Sequence, residues 1–159
     1  MIAIIAILVG VFVVYEWSKS SVSAATSGTS SGNGFLDAFA NAIAKAENVD
    51  PSANNPGALG SGDVSADNIA GTFNDAGVVI IDSIENGWNA LYNKLSNILT
   101  GGSSVFSPDM TIKQFAALYT TGDANNDSDE IDNYAQTLAD GVGATPDTTL
   151  SDAQSGYSQ

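Results

Sequence analysis

From Phe35 onward the apolar residues of this chain recur at intervals of three and four, and no other feature restricts its fold as much. In FLDAFANAIAKAE, Phe35, Leu36, Phe39, Ile43 and Ala46 fall on one side of a helix. Asp82 or Ser83 is placed to cap a second helix, along which Ile84, Trp88, Leu91, Leu95 and Ile98 keep the interval until Gly101 and Gly102 end it. Thr111 opens a shorter helix through Phe115, Leu118 and Tyr119. Ile131, Tyr134, Leu138 and a terminating Gly141 mark a fourth. The β-branched run Val78-Val79-Ile80-Ile81 is a strand or an extended connector. The spacing therefore predicts a mainly α domain with at most a small β element, and 159 residues hold one such core plus attachments.

Ahead of Phe35 that periodicity is absent. Residues 1–14 are uninterrupted apolar sequence, closed by Tyr15 and Trp17, residue types favoured where a membrane meets water. As a helix, residues 1–17 would be about 25 Å long, at the short end of what spans a bilayer core of roughly 30 Å. Val22-Ser23-Ala24 resembles a small-residue cleavage site. No polar face runs along the segment and no basic stretch precedes it, so it reads as an uncleaved transmembrane helix. Residues 18–34, SKSSVSAATSGTSSGNG, read as a flexible tether with an average reach of roughly 20–25 Å. The expected organisation is an anchor at 1–17, a linker at 18–34, the helical domain at 35–152 and a tail at 153–159.

Composition narrows the chemistry further. Eighteen acidic residues stand against four lysines, with no arginine or histidine, giving a formal charge of −14. Phosphate binding needs cations, so nucleic acid is not an expected partner. Without histidine or cysteine the chain lacks the usual general base, the usual zinc ligands and thiolate chemistry. Catalysis would run on carboxylates, amides and hydroxyls, and no cofactor is expected.

Glu47 is the carboxylate in an unusual position. On a helix it lies about 40° round from Ile43 and about 80° from Phe39, so it continues the apolar stripe. Desolvation there, and the negative end of the helix macrodipole, both raise a carboxyl pKa. A glutamic acid held protonated near neutral pH is what protonation of a glycosidic oxygen requires. The opposing reading is a residue that frays into water at the helix end. Asn54-Asn55-Pro56-Gly57 is by itself a turn, and a rigid corner of this kind also projects carboxamides suited to sugar hydroxyls and N-acetyl groups. Asp123, Asn125, Asp127 and Asp129 alternate as calcium ligands do. Ser128 stands where an EF-hand needs glycine, and Tyr134 where it needs a bidentate glutamate, so no metal site is assigned.

With these residues in place, the chain from Phe35 to Asp152 resembles the small lysozyme-like domains of phage particles, which are similar to lytic transglycosylases. The matching points are the helix ending in Glu47, then Asn54-Asn55-Pro56-Gly57-Ala58-Leu59, Phe73 and Gly87-Trp88-Asn89-Ala90-Leu91. They continue with Met110-Thr111-Ile112, Tyr119, Asn133-Tyr134-Ala135, Gly143 and Pro146-Asp147. Ala58 departs from the asparagine more often found there. The resemblance implies a lysozyme-like fold with Glu47 as catalytic acid/base, Asn54 and Asn55 bordering a glycan cleft, and Tyr119 on its far wall. The expected protein is a membrane-anchored, peptidoglycan-cleaving enzyme of a phage particle. Its partners would be glycan strands, a lipid membrane and other virion proteins. It would sit in the virion membrane and act in the host cell envelope. The alternative is a non-catalytic, membrane-tethered virion structural protein of the same fold.

Overall fold

In the computed structural model, which describes residues 30–75, 77–120 and 127–158, the chain caps its first helix as soon as it comes into view. The Asn33 side chain accepts the Leu36 amide at 3.3 Å, and Asn48 takes the left-handed conformation at the far end, so α1 spans Gly34–Glu47. The Ser30 hydroxyl and the Ser31 amide donate to the Asp37 carboxylate at 2.6 and 2.8 Å. The end of the predicted tether is thus already tied to the domain.

Each later helix shows a similar match between cap and stripe. Helix α2, Ile84–Leu99, starts where Ser83 accepts the Asn86 amide, and it buries Gly87, Leu91, Leu95 and Ile98. Helix α3, Ile112–Tyr119, opens with a capping box in which Thr111 and Gln114 satisfy each other's backbone amides. Helix α4, Ser128–Val142, begins at Asp127, whose carboxylate accepts the amides of Asp129 and Glu130. It ends at Gly143, in the left-handed region at φ 68°, and not at Gly141 as the sequence predicts. Gly141 stays helical because it is a packing residue: a Cβ there would lie 2.5 Å from the Cβ of Ala42 on α1. A fifth helix, α5 at Leu150–Gly156, runs into what the sequence places in the tail, and buries Leu150 and Ala153.

The Val79–Ile81 run is a strand, β2, paired antiparallel with β1, Ile69–Thr72. Ile69 faces Ile81 and Thr72 faces Val79, with an irregularity between Ile69 and Gly71. Gly60 extends this edge by a single bridge to Val78.

Helix α1 packs chiefly on α4 and also on α2, while α3 packs on α4. Ala42 meets Gly141, and Glu47 meets Tyr134, so α1 and α4 run antiparallel. Phe39, Ile43, Leu91, Leu95, Phe115, Leu138 and Leu150 fill the interior, each at most 1% exposed. Full burial of such a side chain contributes roughly 1.5–3 kcal/mol.

The expected fold class needs correction. The structure is mainly helical, with five α-helices and a two-stranded sheet among the described residues. None of these helices is long and apolar enough to cross a membrane. The physical reason is plain in α2: its 16 residues are about 24 Å long and carry Glu85 and Lys94. A transmembrane helix is therefore not part of the fold observed. The predicted anchor at 1–17 and the tether up to residue 29 lie outside the described residues.

One close approach fixes where the later site can form. Gly87 of α2 lies under the Asn54 carbonyl, and a Cβ at residue 87 would collide with that oxygen and press on Pro56. Gly87→Ala is expected to destabilise the domain by roughly 1–3 kcal/mol, the range for overpacking, in spite of alanine's better helix propensity. Urea unfolding of the two proteins checks it, and equal midpoints would show that the loop yields instead.

Candidate active site

Glu47 is the last residue of α1, and its carboxyl is partly buried. The Tyr134 hydroxyl, from α4, donates to Glu47 Oε1 at 2.6 Å. That length belongs to a strong bond of the O–H to carboxylate kind. Burial raises the Glu47 pKa above its ordinary value, while the Tyr134 hydrogen bond and the Lys94 charge pull it down. Burial is the largest of the three effects, and the net direction is upward. The Tyr134 phenol is itself raised, by burial first and then by the nearby Glu47 charge, so it remains a donor throughout the working pH range.

Tyr119, at the end of α3, stands beside this pair, with ring centroids 6.2 Å apart from Tyr134 and 5.1 Å from Phe115. Its hydroxyl donates to the Gly57 carbonyl at 2.8 Å. Burial, then the charges of Glu47 and Asp63, keep it well above the usual phenol range. Lys94 of α2 lies over the ring, 4.9 Å from its centroid, and forms an ion pair with Asp63 at 2.8 Å.

The segment after Glu47 builds a wall from backbone turns. Pro51–Ala53 is a single 3₁₀ turn capped by Asp50. Asn54 is left-handed, at φ 52°, and its amide donates to the Ile81 carbonyl at 3.0 Å. Asn55 is buried, 2% exposed. Its amide donates to the carbonyls of Leu59 and Val79, both at 2.9 Å, and its oxygen accepts the Leu59 amide at 2.8 Å. Ala58 is left-handed as well, at φ 49°, a conformation asparagine tolerates better than alanine.

The structure therefore brings Glu47 and Tyr119 into one cluster and places Asn54 and Asn55 on the adjoining loop. The polar contacts of Asn55 and of the Tyr119 hydroxyl are spent on backbone groups, so these two residues hold the wall in shape. Asn54 ties the same loop to β2. Tyr134 and Lys94 are the members that the sequence does not single out as site residues. A groove of about 520 Å³ lies elsewhere, lined by Thr111, Gln114, Ala117, Ile131 and the exposed Lys113–Asp132 ion pair, and Glu47 takes no part in it.

Comparison with protein-family models, curated proteins and solved structures finds no match to this chain.

Two outcomes follow from this geometry. Asn55→Ala leaves the Leu59 amide and two carbonyls without their partner, and should lower unfolding stability by roughly 2–4 kcal/mol. Glu47 should also make stability depend on pH. Its folded pKa is raised above the ordinary 4.5, so its contribution is fully present below that value and is lost as pH rises through the folded pKa. Urea midpoints measured against pH should show the parent losing stability relative to Glu47→Gln across that window. A difference that does not change with pH would remove burial as the dominant influence on this carboxyl.

Proposed function

We propose that this domain cleaves the glycan strands of peptidoglycan, as a lytic transglycosylase or a muramidase, with Glu47 as its acid/base. One observation carries the reading: a partly buried glutamic acid at the end of α1, raised in pKa by burial, with one oxygen held by the Tyr134 hydroxyl. Such a carboxyl stays protonated at a pH where an exposed glutamate has lost its proton. Tyr134 occupies Oε1, which leaves Oε2 to carry the proton that is given away.

In the first step that proton passes to the bridging oxygen as the bond from the sugar C1 breaks, leaving Glu47 a carboxylate. In the second step the muramyl 6-hydroxyl bonds to C1 and returns its proton to Glu47, closing a 1,6-anhydro ring. A water in place of that hydroxyl gives hydrolysis. The first route needs only one essential carboxyl, in keeping with a chain that has neither histidine nor cysteine. The resemblance to lysozyme-like domains of phage particles adds the setting, a virion protein acting on the host cell wall.

A second reading is favoured by a different observation. The Asn55 carboxamide, the Tyr119 hydroxyl and the Asn54 amide all donate to backbone carbonyls, as they would in a non-catalytic virion structural protein. Digestion of purified peptidoglycan by the full chain, with mass analysis of the fragments, separates the two. Anhydromuramyl ends mean transglycosylase, reducing ends mean muramidase, and intact glycan means the structural reading.

Within the enzymatic reading, Glu47→Gln should keep the fold and lower the rate by about 10²–10⁴-fold, the range for losing general acid–base help. Parent activity should fall as pH climbs past the raised pKa of Glu47, because the donor must be protonated. A Glu47→Gln protein working at the parent rate would refute the assignment.

A further inference from the structure

The chain has four lysines and no arginine, so the position of each cation is informative. Lys113 pairs with Asp132 at the surface, with half of each side chain exposed. Lys45 is exposed on the last turn of α1, and two residues of helix turn it about 160° away from Glu47. Lys94 is different: its side chain is 20% exposed, in a cradle of Asp63, the Tyr119 ring and the Phe106 ring. That cradle lies beside Glu47, since the Tyr119 ring neighbours the Tyr134 ring and Tyr134 is bonded to Glu47.

An ion pair with Asp63 alone would explain a tie between α2 and the loop before β1. It does not explain why the ammonium is also laid on two aromatic rings next to a partly buried carboxyl. Charges shielded from water act on each other with less screening than surface charges do. A cation placed there favours the ionised form of its neighbour, and an acid that gives up its proton must pass through that form in each cycle.

We propose that Lys94 is a positioning residue of the Glu47 proton cycle: pinned by Asp63 over the Tyr119 ring, its ammonium steadies the Glu47 carboxylate between giving the proton and taking it back. The proposal rests on the acid/base reading of Glu47. The groups facing that carboxyl are Tyr134 from α4, Tyr119 from α3 and Lys94 from α2, with Asp63 facing Lys94 and Tyr119. The two phenols stay neutral, so among the described residues Lys94 is the charged group that acts directly on Glu47. Burial pushes the carboxyl up and Lys94 offsets part of that push, which keeps the proton transferable.

The test is the titration of the Glu47 carboxyl carbon by NMR in the full chain labelled at glutamate. Only four glutamates are present, and the signal lost in Glu47→Gln identifies the one sought. Lys94→Met, which keeps a stem to cover the rings, should shift the Glu47 titration upward, and Lys94→Arg should leave it near the parent. Lys94→Gln serves as a second neutral variant if Lys94→Met does not fold. In peptidoglycan cleavage the alkaline limb of the Lys94→Met profile should move up with the titration, with a loss of kcat and little change in KM. A Glu47 titration that stays in place in the neutral variants overturns the proposal, even in a chain that cleaves glycan. A titration that shifts in a chain leaving glycan intact establishes the charge coupling and overturns the enzymatic reading together with the proton cycle built on it, so the two failures are told apart.

Discussion

The antiparallel contact of α1 with α4 is the constraint on which the rest of the molecule depends. It is close because the residues at the crossing are small: Gly141 sits where any side chain would press on Ala42. Seven residues before Gly141, two helical turns back and on nearly the same face, Tyr134 reaches the end of α1. Helix α3 packs on α4 and delivers Tyr119 beside Tyr134. Widening that crossing by one methyl group would separate Glu47 from the hydroxyl that holds it, although neither residue lies at the crossing.

The second organising element is the loop from residue 48 to 60, which has little regular structure and little freedom. Among the described residues, the non-glycine residues with positive φ are Asn48, Asn54 and Ala58, all within this loop. Two are asparagines, which accept the left-handed region readily; Ala58 does so at a cost of about 1–2 kcal/mol. The Asn55 carboxamide offsets that cost by holding Leu59 on both its amide and its carbonyl. Helix α2 approaches the same loop closely, at Asn54 through Gly87 and at Gly57 through Leu91. The wall beside Glu47 is therefore fixed by its own side chains, by β2, by α2 and by the Tyr119 hydroxyl.

Helices α1 to α4 were legible in the sequence because each carries a stripe of three to five apolar residues, and α2 and α3 also a recognisable opening cap. The short α5 buries only Leu150 and Ala153, too few for a stripe. Its signal was the Thr149 cap with Asp152 three residues on. Val79–Ile81 is settled as a strand by its partner, Ile69–Thr72, whose sequence IAGT has little strand character of its own. Glu47 could be found from its place in a stripe. The proline after Asn55 restricts its backbone but says nothing of where its carboxamide points, so a residue read as bordering a cleft is buried. Tyr134 is one more stripe residue in the sequence, and nothing local marks Lys94, which stands between Leu91 and Leu95. Their partners lie far along the chain, and only the packed helices show them.

The bond between Tyr134 and Glu47 joins residues 87 apart in sequence. Contacts of that separation form late, since a long loop must close before they are rewarded. Until α4 has docked on α1, Glu47 ends a helix exposed to water and is an ordinary carboxylate, ionised at neutral pH. The raised pKa of this side chain is thus acquired with the final fold, and a nascent or misfolded chain carries an ordinary carboxylate in its place.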